Sequence, residues 1–384
     1  MIPYGRQSVD SDDVAAVLEV LTNDFITQGP MIEQFEQTLC DYTGARYAVA
    51  MSSGTAALHA AAHAAGLGPG DLVVTSPLSF VASANAARYV GAEVGFVDID
   101  PDTLNADPER VPAGADAFVA VHFAGFPLDL GLLANRPRVV IEDAAHALGA
   151  HTPDGPVGNC AKSDMCCFSF HPVKSVTTGE GGAVTTNSPE FAGRLRRFRH
   201  HGIVVRPEIS PVAYDVVEVG YNCRLTDIQA ALGTSQMRKL DRFIDRRNRV
   251  AEMYRRKLGS VEGLRLPPEP GTGTRHAYHL FTVQVPGRDA MVTTLREHGV
   301  GVQVHYPSIQ SFSAFSGSSA AWPCPSADEA CGRLMSIPIF PGIEDRQVDE
   351  VVTRLVDVVE EGVSVSGSGT AATSRHLDPG PSPI

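Results

Sequence analysis

The sequence predicts an α/β protein with a mainly parallel central sheet in a large domain, followed by a smaller α+β domain. Three observations lead there. Short apolar stretches alternate with helical patterns through the first half of the chain, as strands covered by helices do. The run Val139-Val-Ile-Glu-Asp143 closes on a carboxylate, at the end of a buried strand where open α/β sheets bind ligands. Finally, 384 residues exceed what one hydrophobic core usually supports.

In order, Val14, Val17, Leu18 and Leu21 recur at helical spacing over residues 11–21, with Asp12 and Asp13 in the first turn. Thr27-Gln-Gly-Pro30 breaks the chain, and Ile32, Phe35, Leu39 and Tyr42 mark a second amphipathic helix. Ala48–Met51 reads as a strand ending in Ser52-Ser-Gly-Thr55, and an alanine-rich helix runs to about Ala65. Strands at 72–75, 94–97, 117–121 and 139–142 follow, with a helix from about Ala82. A helix over residues 222–240 leads into the basic run Arg238–Arg256, expected to be a connecting helix (241–258) with a solvated charged face. Residues 259–361 are assigned to the small domain, with strands at 278–285 and 302–305. The Ser-, Gly-, Thr- and Pro-rich residues 364–384 read as a disordered tail.

Composition removes several classes. No run approaches ~20 apolar residues, and the N-terminus lacks the apolar region of a signal peptide, so a cytoplasmic protein is expected. Seven cysteines without CxxC spacing argue against a zinc site or a disulfide framework. A net charge of −13 gives no general attraction to nucleic acid. There are 27 arginines against four lysines, a bias of GC-rich genomes.

Three of those lysines, Lys162, Lys239 and Lys257, stand in polar company and read as surface groups. Lys174 instead follows the apolar run Met165–Phe170 and precedes Thr177-Thr-Gly-Glu-Gly-Gly182. In such a turn an amine is either a loop cap or a partly desolvated nucleophile toward carbonyls. Ser52-Ser-Gly-Thr55, between strand and helix, is an ordinary N-cap or a phosphate site made by free N–H groups and the helix dipole. No G-x-G-x-x-G opens a helix and no P-loop occurs. Asp143 is structural, or it holds the protonated nitrogen of a pyridine ring and makes that ring a better electron sink. His59 and His63 have metal-compatible spacing without a visible third ligand.

Together Ser53-Gly-Thr55, Glu142-Asp-Ala-Ala-His146, Ser169-Phe-His-Pro-Val-Lys174, Thr178-Gly-Glu-Gly-Gly182 and Gly220-Tyr-Asn-Cys-Arg-Leu-Thr-Asp227 resemble the DegT/DnrJ/EryC1/StrS sugar aminotransferases. The likeness runs over residues 2–358. Ile2-Pro-Tyr-Gly-Arg-Gln7, Thr27-Gln-Gly-Pro30 and Val121-His-Phe-Ala-Gly125 are similar to the C4-aminating members, those resembling the UDP-4-amino-4,6-dideoxy-N-acetyl-altrosamine transaminase.

The resemblance implies the fold-type I, aspartate-aminotransferase-like architecture, with residues 1–240 as the domain that binds pyridoxal 5′-phosphate (pyridoxamine 5′-phosphate in the half-reaction). It implies a homodimer with shared active sites. Lys174 would form the Schiff base and shuttle the proton. Asp143 would pair with the ring nitrogen, and His146 would contact the phenolic oxygen. Phe80 would stack on the ring, its alternative being a core aromatic. Gly54, Thr55 and Ser169 would hold the phosphate, joined by Asn222 from the neighbouring subunit. Tyr4, Thr27, Gln28, Arg224, His305 and Tyr306 are candidates for the sugar and its pyrophosphate, where arginine clamps phosphate oxygens well.

The expected reaction moves the amine of L-glutamate, which becomes 2-oxoglutarate, to C4 of a dTDP-linked 4-keto-deoxyhexose or 4-ketopentose, in deoxyaminosugar and antibiotic biosynthesis. The alternatives are C3 amination of a 3-ketosugar, a UDP-linked 4-keto-6-deoxy-HexNAc substrate, and a non-catalytic regulator. The related dehydratases carry histidine in place of the lysine, and Lys174 sets this chain apart from them.

Overall fold

The computed structural model describes residues 1–22, 25–316 and 322–366. Helices α1 (Ser11–Thr22) and α2 (Pro30–Thr43) precede the sheet. Helix α2 has no cap on its own N-terminal residue, Gly29. Its free N–H groups are met from far along the chain: Gly29 N and Met31 N donate to the carboxylate of Asp227 at 2.8 and 2.9 Å. Such groups must find partners once buried, so Asp227 fixes the entry of α2.

Strand β1 (Tyr47–Met51) leads through Ser52-Ser53 into α3 (Gly54–Ala64). Then come β2 (Leu72–Thr75), α4 (Ala82–Tyr89), β3 (Glu93–Phe96), β4 (Ala117–Val121) and β5 (Val139–Asp143). After a short hairpin, β6 (His151–Thr152) with β7 (Gly155–Pro156), β8 (Met165–Ser169) and β9 (Gly182–Thr186) complete the sheet. The seven strands lie in the order β1-β9-β8-β5-β4-β2-β3. All pairings from β8 to β3 are parallel, and β9 runs antiparallel to both neighbours. Strands β4, β5 and β9 are buried along their whole length, and in the parallel β4 the sequence accordingly shows no alternation of apolar and polar residues. The parallel set delivers the carboxyl ends of β2, β4, β5 and β8 to one edge, and there lie Asp143 and Ser169.

Helix α5 (Pro189–Arg199) and the hairpin β10 (Ile203–Val205) with β11 (Tyr214–Val216) follow. Helix α6 (Asp227–Met237) starts five residues later than expected, because Thr226 and Gln229 form a capping box that sets its first turn. Residues 222–226 before it are not helical: Asn222 bridges to His200 and Thr226 to Thr27. Helix α7 (Leu240–Leu258) covers the residues over which a helix was expected at 241–258.

Beyond it, β12 (Phe281–Gln284) precedes α8 (Arg288–Glu297), and α9 (Pro325–Arg333) precedes β13 (Leu334–Ile337), which pairs antiparallel with β12. Helix α10 (Asp345–Ser366) ends the described chain. A separate apolar cluster gathers Ile2 with residues between Val250 and Val359. The strand expected over 278–285 is shorter, since Tyr278 has φ 44° and the chain before β12 bonds elsewhere. Residues 302–305 form no strand, only a bridge from Gln303 to Ser336. The expected disordered tail is helical up to Ser366, and from residue 367 it lies outside the described residues. Among the described residues no helix is long and apolar enough to cross a membrane.

Two basic residues depart from the solvated roles expected of them. Lys239 is buried between α1 and α6, paired with Asp10 and, at 2.9 Å, with Asp13. Gln236 Nε2 donates to the same Asp13 carboxylate at 2.7 Å and to Ser8 O at 2.8 Å, so this network holds the N-terminal segment down. Arg247 is fully buried in α7, and its Nη1 donates to the carbonyls of Tyr278 (3.0 Å), His279 (3.2 Å) and Ile339 (2.9 Å). Burial without a carboxylate lowers its pKa to about 10. Arg247→Met keeps most of the packing volume and leaves three buried acceptors without their donor. It should lower the unfolding free energy in urea by about 3 kcal/mol; a loss below about 1 kcal/mol would mean that the clamp carries little.

Candidate active site

The site is built around the carboxyl end of β5. Asp143 is buried there, and its Oδ2 accepts from Ser83 Oγ on α4 at 2.6 Å, its Oδ1 from Ala145 N at 3.1 Å. The strand is anchored from behind by Glu142, which accepts from Ser163 Oγ and lies 2.7 Å from His122 Nε2. Leu128 N donates to His122 Nδ1 at 2.9 Å, so Nε2 of this imidazole carries the proton and donates to Glu142. His122 N in turn donates to Asp143 O.

Lys174 follows β8 in the loop before β9 and is half-buried. Desolvation drives its amine down to about 8, against the opposing attraction of Asp143. His146, buried one turn past Asp143, is held well below the ordinary imidazole range by desolvation and then by the Lys174 and His305 charges. Its Nε2 lies 3.1 Å from Tyr306 Oη, and the two rings stack at 6.1 Å and 17°. Its Nδ1 is buried without a partner. Burial, followed by Asp143 and Tyr4, raises the Tyr306 phenol far above its usual range. Phe80 is 52% exposed with its ring 6.0 Å from that of Tyr306, which removes the alternative of a core aromatic. His305 is buried against Tyr4, rings 5.3 Å apart, with Nδ1 2.9 Å from Ser336 Oγ, and desolvation followed by Lys174 pushes its pKa to about 3.

A second group meets where β8 and β9 face the start of α3. Ser53 caps α3 by accepting from Ala56 N at 3.0 Å. A Cβ on Gly54 would stand 2.8 Å from Ser169 Cβ, and one on Gly182 would collide with the Ser53 carbonyl. Glycine at both positions therefore lets the two strand ends close on the helix start, leaving the Gly54 and Thr55 N–H groups beside Ser169. Donors so arranged suit an anion.

The remaining expected residues are held by contacts of their own. Thr27 and Gln28 are exposed and tied to Thr226 and Asp227 through the 26–31 segment. Asn222 is exposed, and Arg224 Nη1 lies 2.9 Å from His200 Nδ1. His59 and His63 pack on Phe198 at 4.9 and 5.0 Å, and among the described residues no group of three or more metal-ligating side chains occurs. Sequence reasoning missed Ser83, Asp227 and His279. Ser83 had one signal, its place one helical turn after Phe80; His279 had none, since its ring meets His146 at 4.3 Å only through the fold.

A model of the DegT/DnrJ/EryC1/StrS aminotransferase family matches residues 7–356. SpsC, a spore coat polysaccharide biosynthesis protein of Bacillus subtilis (strain 168), is 34% identical over 383 residues, covering 94% of this chain and 97% of its own. Spr1654 of Streptococcus pneumoniae, assigned as a sugar aminotransferase and solved in its PMP form, superposes with a TM-score of 0.88 at 25% identity, over 94% of this chain and 100% of its own. PseC of Helicobacter pylori, an aminotransferase involved in pseudoaminic acid biosynthesis, gives 0.88 at 27% identity, over 94% and 99%.

The amine of Lys174 should lose its proton through pH 8 rather than 10.5. Below that point the ammonium prevails; above it the free nucleophile does. Acylation of the chain freed of bound carbonyl compounds, followed by peptide mass spectrometry, should show Lys174 reaching half its limiting rate near pH 8, well before the other lysines. A midpoint near 10.5 would refute the desolvated amine.

Proposed function

Because the chain belongs to the DegT/DnrJ/EryC1/StrS aminotransferase family, we propose that it transfers the amino group of L-glutamate to C4 of a nucleotide-linked 4-ketosugar. The observation that carries this reading is the desolvated Lys174 amine facing Asp143 and His146 at the sheet's carboxyl edge. The cofactor is pyridoxal 5′-phosphate; when bound, it supplies an aldehyde that accepts the amine and a ring that withdraws electrons from the adjoining carbon.

The residues present fit that group. Asp143, held by Ser83 and Ala145 N, offers an oriented carboxylate to a ring nitrogen. His146 keeps one buried nitrogen unpartnered, matching a ring oxygen. Phe80 offers an exposed face for stacking. Gly54, Thr55 and Ser169 form a cradle that a further side chain would fill. Lys174 Nζ, as the free amine, would hold the aldehyde carbon of the cofactor and, when released from it, would be the group that takes up and gives back a proton beside it. Tyr4 and His305 border this cluster and, with Arg224, Thr27, Gln28 and Tyr306, are the residues proposed to meet the sugar and its pyrophosphate. Residues 1–240 are read as the cofactor-binding domain, 241–258 as the connection and 259–361 as the smaller domain.

A second copy of the chain is part of the reading. The β10–β11 hairpin exposes Val205, Ile209, Val212, Tyr214 and Val216, with Val219 and Tyr221 beyond it. A contiguous apolar patch of this kind calls for a cover. Asn222 stands exposed directly after it, and is the residue proposed to reach a neighbour's cradle. A cytoplasmic homodimer is the state proposed.

For the sugar carrier, the arginine-over-lysine bias suggests a GC-rich producer of glycosylated natural products and hence a dTDP-linked 4-keto-6-deoxyhexose or 4-ketopentose. PseC and SpsC, named for pseudoaminic acid and spore coat polysaccharide, favour an amino sugar for a surface glycan as the second reading, with a UDP carrier. Incubation with glutamate and a panel of dTDP- and UDP-linked 3- and 4-ketosugars, with products identified by mass and NMR, separates these. A 4-amino dTDP-sugar is expected; a 3-amino product or turnover confined to UDP-sugars would overturn the regiochemistry or the carrier. Asn222→Ala should weaken cofactor affinity about tenfold, the worth of one hydrogen bond to a charged group, with the melting temperature of the cofactor-free chain unchanged. Unaltered affinity would place Asn222 outside the cradle.

A further inference from the structure

Resting on that reading, we infer that Tyr306 and His279 are positioning residues that fix the tautomer and ring plane of His146, so that its Nδ1 presents a proton to the ligand. Tyr306 Oη lies 3.1 Å from His146 Nε2, and hydrogen-bond counting decides which of the two donates. If Nε2–H donated, the phenol hydrogen would have no acceptor among the described residues, and the buried Nδ1 would be a bare lone pair that nothing meets. If the phenol donates, only one group is left over, an Nδ1–H. Each orphaned buried polar group costs about 1–3 kcal/mol, so the arrangement with fewer orphans is preferred. The leftover N–H is a donor awaiting an acceptor, and an anionic ring oxygen is one.

Protonation states agree with this geometry. The phenol is held in its protonated form by burial and by Asp143 and Tyr4, and His146 is held neutral by desolvation and Lys174. A neutral imidazole has one proton to place, so its tautomer is a choice that a single partner can make.

His279 secures the other side. It is 5% exposed, and its ring lies 4.3 Å from that of His146 at 38°, while Tyr306 stacks on His146 as well. Its backbone is held from several directions. Arg247 donates to the Tyr278 and His279 carbonyls, and Asn248 Nδ2 donates to His276 O at 3.0 Å. Ala277 N and Leu280 N donate to Gly125 O and Ala124 O. A Cβ on Gly125 would come within 2.7 Å of His146 O, so that loop also closes on the same histidine. The His279 ring packed on it and the Tyr306 hydroxyl at its edge together hold the ring of His146 in one orientation.

The test uses the full chain without added cofactor, with ¹⁵N-labelled histidine and NMR at pH 7, where the two imidazole nitrogens of a neutral ring are told apart by shift. His146, identified by its absence in His146→Gln, should carry its proton on Nδ1. In Tyr306→Phe, which keeps the ring and removes the donor, that tautomer should lose its dominance. A proton on Nε2 in the unaltered chain, or an unchanged tautomer in Tyr306→Phe, would overturn the inference. In the cofactor-loaded enzyme, Tyr306→Phe should lower kcat on the order of tenfold, as loss of a partner that orients an imidazole does, with KM for glutamate within about twofold. His279→Phe should retain the tautomer and most of kcat, while His279→Ala should lose both in a folded protein. Equal loss in Phe and Ala variants would overturn the packing role. Failure of the chain to bind the cofactor, with the tautomers as stated, would count against the proposed function and leave this assignment standing.

Discussion

Burial pushes the Lys174 amine toward its neutral form while the Asp143 carboxylate pulls it toward the charged one, and burial prevails far enough to bring it to about 8. Most of the architecture near the sheet's carboxyl edge serves that opposition. Asp143 must be held still and close, which the parallel pairing of β4, β5 and β8 and the Ser83 hydroxyl achieve. Lys174 must be partly withdrawn from water. Tyr306 and His305, beyond α7, and Tyr4, from the N-terminal segment, cover this edge of the sheet, and each is held by contacts distant in sequence: His146 for Tyr306, Ser336 for His305, Ile339 for the Tyr4 carbonyl.

That cover is mounted on α7. Its buried residues, Leu240, Phe243, Ile244, Arg247, Val250, Ala251, Tyr254 and Leu258, form one continuous stripe. Arg247 occupies the middle of the stripe and gathers carbonyls at 278, 279 and 339. A guanidinium among carbonyls, with no carboxylate to neutralise it, is an expensive way to join two segments. It has one property that apolar packing lacks: a single directed donor, Nη1, sets the mutual position of three backbone points. Those points carry His279 toward His146, so precision at the site starts in a helix that supplies no residue to it.

Much of this was legible in the sequence, and the reason is local. Asp143 ends the five-residue stretch that begins with the apolar Val139-Val-Ile141, Lys174 stands among glycines and threonines, and Ser53-Gly54-Thr55 lies between a strand and a helix; each signal needs only its neighbours. The basic run Arg238–Arg256 also placed α7, yet Arg247 was read with the arginines around it, although its spacing from Phe243, Ile244, Val250 and Ala251 puts it on the apolar face. Lys239 was misread similarly, because its partners Asp10 and Asp13 are more than 220 residues away. The start of α6 was placed too early because the 222–226 segment bridges to His200 and Thr27 instead of coiling. Contacts across such distances leave no periodic trace, and His279 is the extreme case.

The three buried histidines around Lys174 follow from the same constraint. His146, His279 and His305 are all held below the ordinary imidazole range, by desolvation first and by the Lys174 charge next. An imidazolium at any of these positions would repel the ammonium of Lys174 and drive its pKa lower still, coupling the amine to a second titration near neutrality. With all three held toward the neutral form, and the Tyr306 phenol protonated, Lys174 is spared a further repelling charge. A residue that must take a proton from one carbon and deliver it to another gains from that isolation, because no adjacent base competes for the proton in transit. At His146 an imidazole rather than an aliphatic side chain then makes chemical sense: kept neutral, it retains one directed N–H, which orients a ligand without adding a charge.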